Sequence, residues 1–322
     1  MDTSSSAFIY VTLLSCALSL ASCRPEGLDT TWQTCPTGSA QDLFHIRFDQ
    51  SGTGWAAGGQ TWYSGIILQS VDGGQNWYTD LSDTKAILDL ETDPDGQLYA
   101  TGIDGHLWTR PIAGDWSFHR LPEWRLNRAV LPIPSNELLL AGGPVFQFGF
   151  VFRADTLDQA SDITETMNLI NDLALVANNQ IIAAGYGAVL RSTDNGKHWE
   201  FLDITGDNFM AVDMVDLHLG YMVGYGGSIF RTEDGWQSWS SIRNGDALSV
   251  SNIPFRAVDF LDAQTGVIVG DAGRVWLTRD GGDHWQRLLG VSESIDLTGV
   301  CIQGQEIFVA GTGGTILRAS LP

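Results

Sequence analysis

The stretch STDNGKHW at 192–199 sets a hydroxyl, a carboxylate, a glycine turn and an imidazole close together. Such a set could hold a metal ion or accept a phosphate. The same offsets return in SVDGGQNW at 70–77, TEDGWQSW at 232–239 and TRDGGDHW at 278–285. Chemistry performed once has no use for four copies, so the repetition points to a structural role. The residues concerned are Ser70, Asp72, Gly74 and Trp77; Ser192, Asp194, Gly196 and Trp199; Thr232, Asp234 and Trp239; and Thr278, Asp280, Gly282 and Trp285. An aspartate can accept backbone N–H bonds across a turn, glycine takes positive φ, and tryptophan packs over the sheet below. Each box is therefore expected to staple a turn between strands.

Other reactive side chains are dispersed. His45, His106, His119, His198, His218 and His284 fall in different segments, with His198 and His284 inside boxes, and are expected to be turn residues, not ligands. Metal-protease, dithiol and nucleophile-elbow motifs are absent from the sequence. GTGGT at 311–315 precedes a strand-like run, where a phosphate cradle would need a helix N-terminus. Arg153, Arg191, Arg231 and Arg318 recur at one slot before the turns, which suits pairing with neighbouring acids. No catalytic residue, metal or cofactor is assigned.

The elements that carry the boxes are short. GYMVGYGGSIFRTEDGWQSWSSI from 220 aligns with GVIVGDAGRVWLTRDGGDHWQRL from 266 and QIIAAGYGAVLRSTDNGKHWEFL from 180. Each reads as strand, glycine turn, strand, box, strand. The alternations FMAVDMVD at 209 and FRAVDFLD at 255 supply a further strand, with Asp213 and Asp259 in one slot. Aspartates 72, 115, 155, 194, 234 and 280 recur about every 40 residues, the period of a four-stranded propeller blade. Six full units precede a C-terminal fragment of three strands, and TTWQTCP near the N-terminus begins with Trp32 as the fourth strands begin with theirs. The expected fold is an all-β, seven-bladed β-propeller over 32–322, its last blade closed by the N-terminal strand, which leaves no open sheet edge.

The box pattern S/T-x-D-x-G-x-x-W resembles the Asp-box of bacterial-neuraminidase-type repeats. The fuller G-x-x-G-x-[IV]-x-R-[ST]-x-D-G-G-x-x-W resembles the photosystem II stability/assembly-factor-like propeller family. Trp236 departs from it by standing where the second glycine belongs. The resemblance implies a non-enzymatic scaffold that binds a protein partner and assists a membrane-associated complex. The alternative is a carbohydrate-binding or sialidase-like glycoside hydrolase, which would require converging arginines and a tyrosine–glutamate pair.

Residues 1–22 read as an export signal whose apolar run is too short to span a bilayer. Leu20-Ala21-Ser22-Cys23 resembles a bacterial lipobox, with Cys23 as the lipidated residue and 23–31 as a tether; a plain secretory signal is the alternative. The protein is expected to be exported and membrane-anchored through lipid alone, at the outer membrane or cell surface ahead of the inner membrane, as a monomeric propeller. Of 322 residues 38 are acidic and 17 basic, a net charge of −21 that opposes nucleic-acid binding. Cys35 and Cys301 are placed on the outermost and innermost strands of one blade, ~14 Å apart at three strand spacings, and are expected to stay unbridged.

Binding is expected on the face formed by the second-to-third-strand turns and the blade connections. There the sequence places Trp62, Tyr63, Phe146, Phe148, Tyr186 and Tyr225 in glycine turns, and Trp124, Arg125 and Arg128 in a connection. Aromatic and arginine side chains of this kind anchor protein interfaces or stack on sugars.

Overall fold

The structure is a computed structural model that describes residues 27–322 apart from 122–124, 135–136, 145–147, 157–158, 178, 244, 246–251 and 253. The signal, Cys23, Trp124 and Phe146 lie outside the described residues. Seven antiparallel sheets follow one another along the chain. Their innermost strands are Leu43–Phe48, Ile87–Thr92, Asn127–Ile133, Ile170–Ala177, Phe209–Met214, Phe255–Phe260 and Leu297–Gln303, one for each of blades one to seven.

The second strand of each blade is mostly apolar on both faces because each sheet is packed between two others. Gly220–Gly224 and Gly266–Gly270 are buried along their whole length. The core is correspondingly divided into seven slabs, one between each pair of neighbouring blades. Between blades three and four, for example, Leu131, Ile133 and Leu139 meet Ile170, Ile181 and Leu190.

The ring closes as the sequence implies. Gln33–Thr34 adds antiparallel to the last strand, Thr315–Ser320, with Gln33 opposite Arg318 and Thr34 opposite Leu317. The Trp32 indole donates to the Leu289 carbonyl of blade six at 3.1 Å. Within the span expected as a tether, 23–31, Leu28–Asp29 forms a parallel fifth strand against Gln286–Leu289 of blade six. Two residues suffice because the outer strand of that blade otherwise leaves its edge open, and Leu28 packs on the slab between blades six and seven. Cys35 and Cys301 are free thiols on opposite sides of blade seven. Burial raises Cys35 to about 11 and holds Cys301 higher still.

Candidate functional site

The boxes are turn staples. In the first, the Ser70 hydroxyl donates to Asp72 at 2.8 Å and accepts the Gly74 N–H at 2.9 Å, while Asp72 accepts the N–H groups of Gln75 and Asn76. The indoles of Trp77 and Trp199 donate back to the carbonyls of Gly74 and Gly196. Thr232 and Thr278 make the same hydroxyl contacts. A hydrogen bond from the Asn76 side chain, helped by backbone N–H donors, holds Asp72 at about 2. His198 and His284 face Asp194 and Asp280 at 2.6 and 2.7 Å within their own turns. The hydroxyl and the carboxylate of each box are thus engaged by the box itself.

Trp236 shows how the box tolerates its exception. Its φ is +63°, the left-handed value that Gly74, Gly196 and Gly282 adopt in the other boxes. A β-carbon on those glycines would collide with Phe308, Leu139 or Tyr221 of the preceding blade. Trp236 instead sends its whole ring, fully buried, into the slab between blades four and five. The backbone cost is offset by the apolar surface so covered.

The recurring arginines do not form a carboxylate clamp. Arg153 pairs with Glu137, Arg191 with Glu200, Arg231 with Glu233 and Asp283, and Arg318 with Glu306, each on its own blade or the next. Among the described residues they hold strands together instead of converging.

The opposite face carries the aromatic side chains. Trp62, Tyr63, Phe148, Tyr186 and Tyr225 are exposed there, Tyr63 and Phe148 at 83% and 72%. Cations are interleaved with them. The Lys85 amine lies 5.5 Å from the Trp62 ring centre, and Arg256 lies 4.6 Å over Tyr225 while its guanidinium is held by Asp271. Arg125 instead covers Phe150 at 4.6 Å, and Arg128 bonds the Gly143 carbonyl. Burial lowers both guanidinium pKa values. Arg128, Arg256, Asn171 and Asp172 surround a cavity of about 150 Å³ at the channel mouth. Lys85, Arg256 and Asn171 were not singled out from sequence. The available signal was a basic residue in or just before the inner strand that follows an aromatic turn, Lys85 after Trp62 and Arg256 after Tyr225; Asn171 carried none.

The central channel was also missed, apart from the matched Asp213 and Asp259. The Asp89 carboxylate accepts the Val130 N–H, Asp172 that of Val212, Asp213 that of Phe260 and Asp259 that of Ile302. Each bond joins the inner strand of one blade to the next. His45 and His106, expected in turns, sit on strands and face Asp89 at 2.9 Å and Asp83 at 2.7 Å. Their rings add a further partner to carboxylates that also accept N–H groups, Asp89 from Val130 and Asp83 from the Trp108 indole. His45, Asp89 and Glu91 place possible metal-ligating atoms within 4.8 Å of one another. His45 is already bonded to Asp89 and Glu91 to Arg47, so the group reads as two ion pairs.

Comparison with known proteins agrees with this architecture. The photosystem II assembly lipoprotein Ycf48 of Trichormus variabilis is 27% identical over 176 residues, 52% of each chain, and that of a Nostoc strain is 27% identical over 175. The chain spans about half the length of these curated relatives. Among solved structures, YCF48 from Cyanidioschyzon merolae superposes with a TM-score of 0.68 at 17% identity, covering 90% of this chain and 98% of that one. A YCF48 structure described as bound to a D1 peptide gives 0.68 at 15%, over 92% and 97%. Virginiamycin B lyase from Staphylococcus aureus gives 0.72 at 13%, over 91% and 100%, so the likeness to solved structures speaks for the fold alone. The model of the family described as photosynthesis system II assembly factor YCF48 matches residues 64–233 and 200–290, most of the propeller, and the chain belongs to that family.

Proposed function

We propose that this protein is a non-enzymatic scaffold that holds a peptide segment of a membrane complex on its aromatic face during assembly. The observation that carries the reading is the ring of exposed Trp62, Tyr63, Phe148, Tyr186 and Tyr225 interleaved with Lys85 and Arg256. Rigid aromatics lose little side-chain entropy on binding, and cations above their rings add directional contacts for backbone carbonyls and carboxylates. The names of the relatives, photosystem II assembly lipoproteins, and a neighbour described as bound to a D1 peptide support a protein partner. Family membership and the dispersed, paired arginines support a role without catalysis.

In the same reading Cys23 is the acylated residue that fixes the propeller at a membrane, the outer membrane or cell surface. Metabolic labelling with a fatty-acid analogue should mark the parent and not Cys23→Ser, and fractionation of the labelled protein reports the membrane. The binding claim is tested by crosslinking the protein in its native membrane beside a variant with Trp62, Tyr63 and Phe148 changed to alanine. Recovery of one protein complex by the parent alone supports the face; equal recovery by both sinks it.

A further inference from the structure

A second cleft lies on the box face, at the other end of the channel. It has a volume of about 650 Å³, within the range of ligand-binding sites. Its walls are apolar: Pro132, Ile133 and Pro134 of blade three, Leu175 of blade four, and Ile112, which is 79% exposed. Its rim is acidic, with Asp49 in the first turn of blade one and Asp93 and Asp95 in the matching turn of blade two. The Asp49 and Asp93 carboxylates are oriented by N–H donors of their own turns.

The floor explains why the cleft is here. Asp213 and Asp259 occupy the fifth position of their inner strands and each accept an N–H from the sixth position of the next. Glu91 occupies that fifth position in blade two, but the sixth position of blade three is Pro132, which has no N–H. The staple cannot form. Glu91 turns to Arg47 instead, and the Thr92 hydroxyl and Arg47 Nε are buried there without a hydrogen-bond partner. The Arg47–Glu91 pair neutralises the floor, which leaves the three rim carboxylates as the charge the cleft presents.

We propose that this cleft is a second docking site, for an extended protein segment in which apolar side chains alternate with lysine or arginine. Alternate side chains of an extended segment point opposite ways, so one set lies on the proline-rich wall while the other reaches the acidic rim. The charge complementarity selects a basic segment, and the site is separate from the aromatic face.

The test is fluorescence polarisation of the full chain with a labelled peptide alternating leucine and lysine, and with its leucine–glutamate counterpart. The lysine peptide is expected to saturate, the glutamate peptide to show no binding. Combining Asp95→Lys with Ile112→Ser, both at exposed side chains, should weaken the lysine peptide about tenfold or more, while Trp62→Ala with Tyr63→Ala leaves it unchanged. Equal affinity for the cleft variant would mean diffuse attraction to an acidic protein and overturns the proposal, as does failure to saturate. Sedimentation provides the remaining outcome: dimers that the cleft variant dissolves would make the occupant a second copy and also overturn it.

Discussion

The Asp259 carboxylate on the inner strand of blade six accepts the backbone N–H of Ile302 on the inner strand of blade seven, at 2.5 Å. Asp213 does the same for Phe260, so two carboxylates in neighbouring blades are held close by the backbone they clamp. Burial, with the charge of Asp259 added, raises the Asp213 carboxyl well above the ordinary range; burial raises Asp259 to about 6. Burial and then the Asp89 charge raise Asp172 to about 7. His45 is raised by Asp89 in spite of its burial.

These shifts set a pH dependence. In the unfolded chain the carboxyls titrate near about 4, so between about pH 4 and 7 the folded protein binds more protons and stability falls as pH rises. The melting temperature should be higher at pH 5.5 than at pH 8, by about a few degrees. Asp213→Asn keeps one acceptor oxygen and removes one charge, and should flatten that slope in thermal scans across the window. An unchanged slope would show that the channel carboxyls do not titrate there.

Ser70→Ala tests the box as a staple. The hydroxyl is fully buried, and its loss leaves the Gly74 N–H without an acceptor. Denaturant unfolding should show a loss of about 1–3 kcal/mol, whereas Ser70→Thr should restore most of it because Thr232 and Thr278 do the same work in their boxes.

Trp236→Gly restores the residue typical of the repeat and should nevertheless destabilise. Removing a fully buried tryptophan costs about 3–5 kcal/mol, and relief of the positive φ returns about 1–2. A net loss is expected in chemical denaturation. A gain would mean that the neighbours, Met214 and Val176 among them, collapse into the vacated space.

Ring closure is open to the same measurement. Trp32→Ala removes the indole bond to Leu289 and apolar packing between blades six and seven. A loss of about 2–3 kcal/mol with an unchanged denaturant slope is expected, since the remaining strands still close the sheet.

What could be read from sequence was whatever one blade repeats. The boxes, the glycine turns and the alternating strands announce themselves because each copy solves the same local problem, and Trp32 betrays the closing strand because it stands where other fourth strands begin. Cys35 and Cys301 were placed correctly for the same reason, as positions in a repeat. Tertiary structure decided everything that arises between blades. Asp89 and Asp172 sit two positions earlier in their strands than Asp213 and Asp259, so no alignment of repeats joins them, yet all four clamp the next inner strand. Pro132 is an ordinary strand-edge residue in sequence, and its missing N–H matters only opposite Glu91. Such pairs form across a junction between separate sheets, and a linear pattern records periodicity within a blade but not which side chain faces its neighbour once the ring has closed.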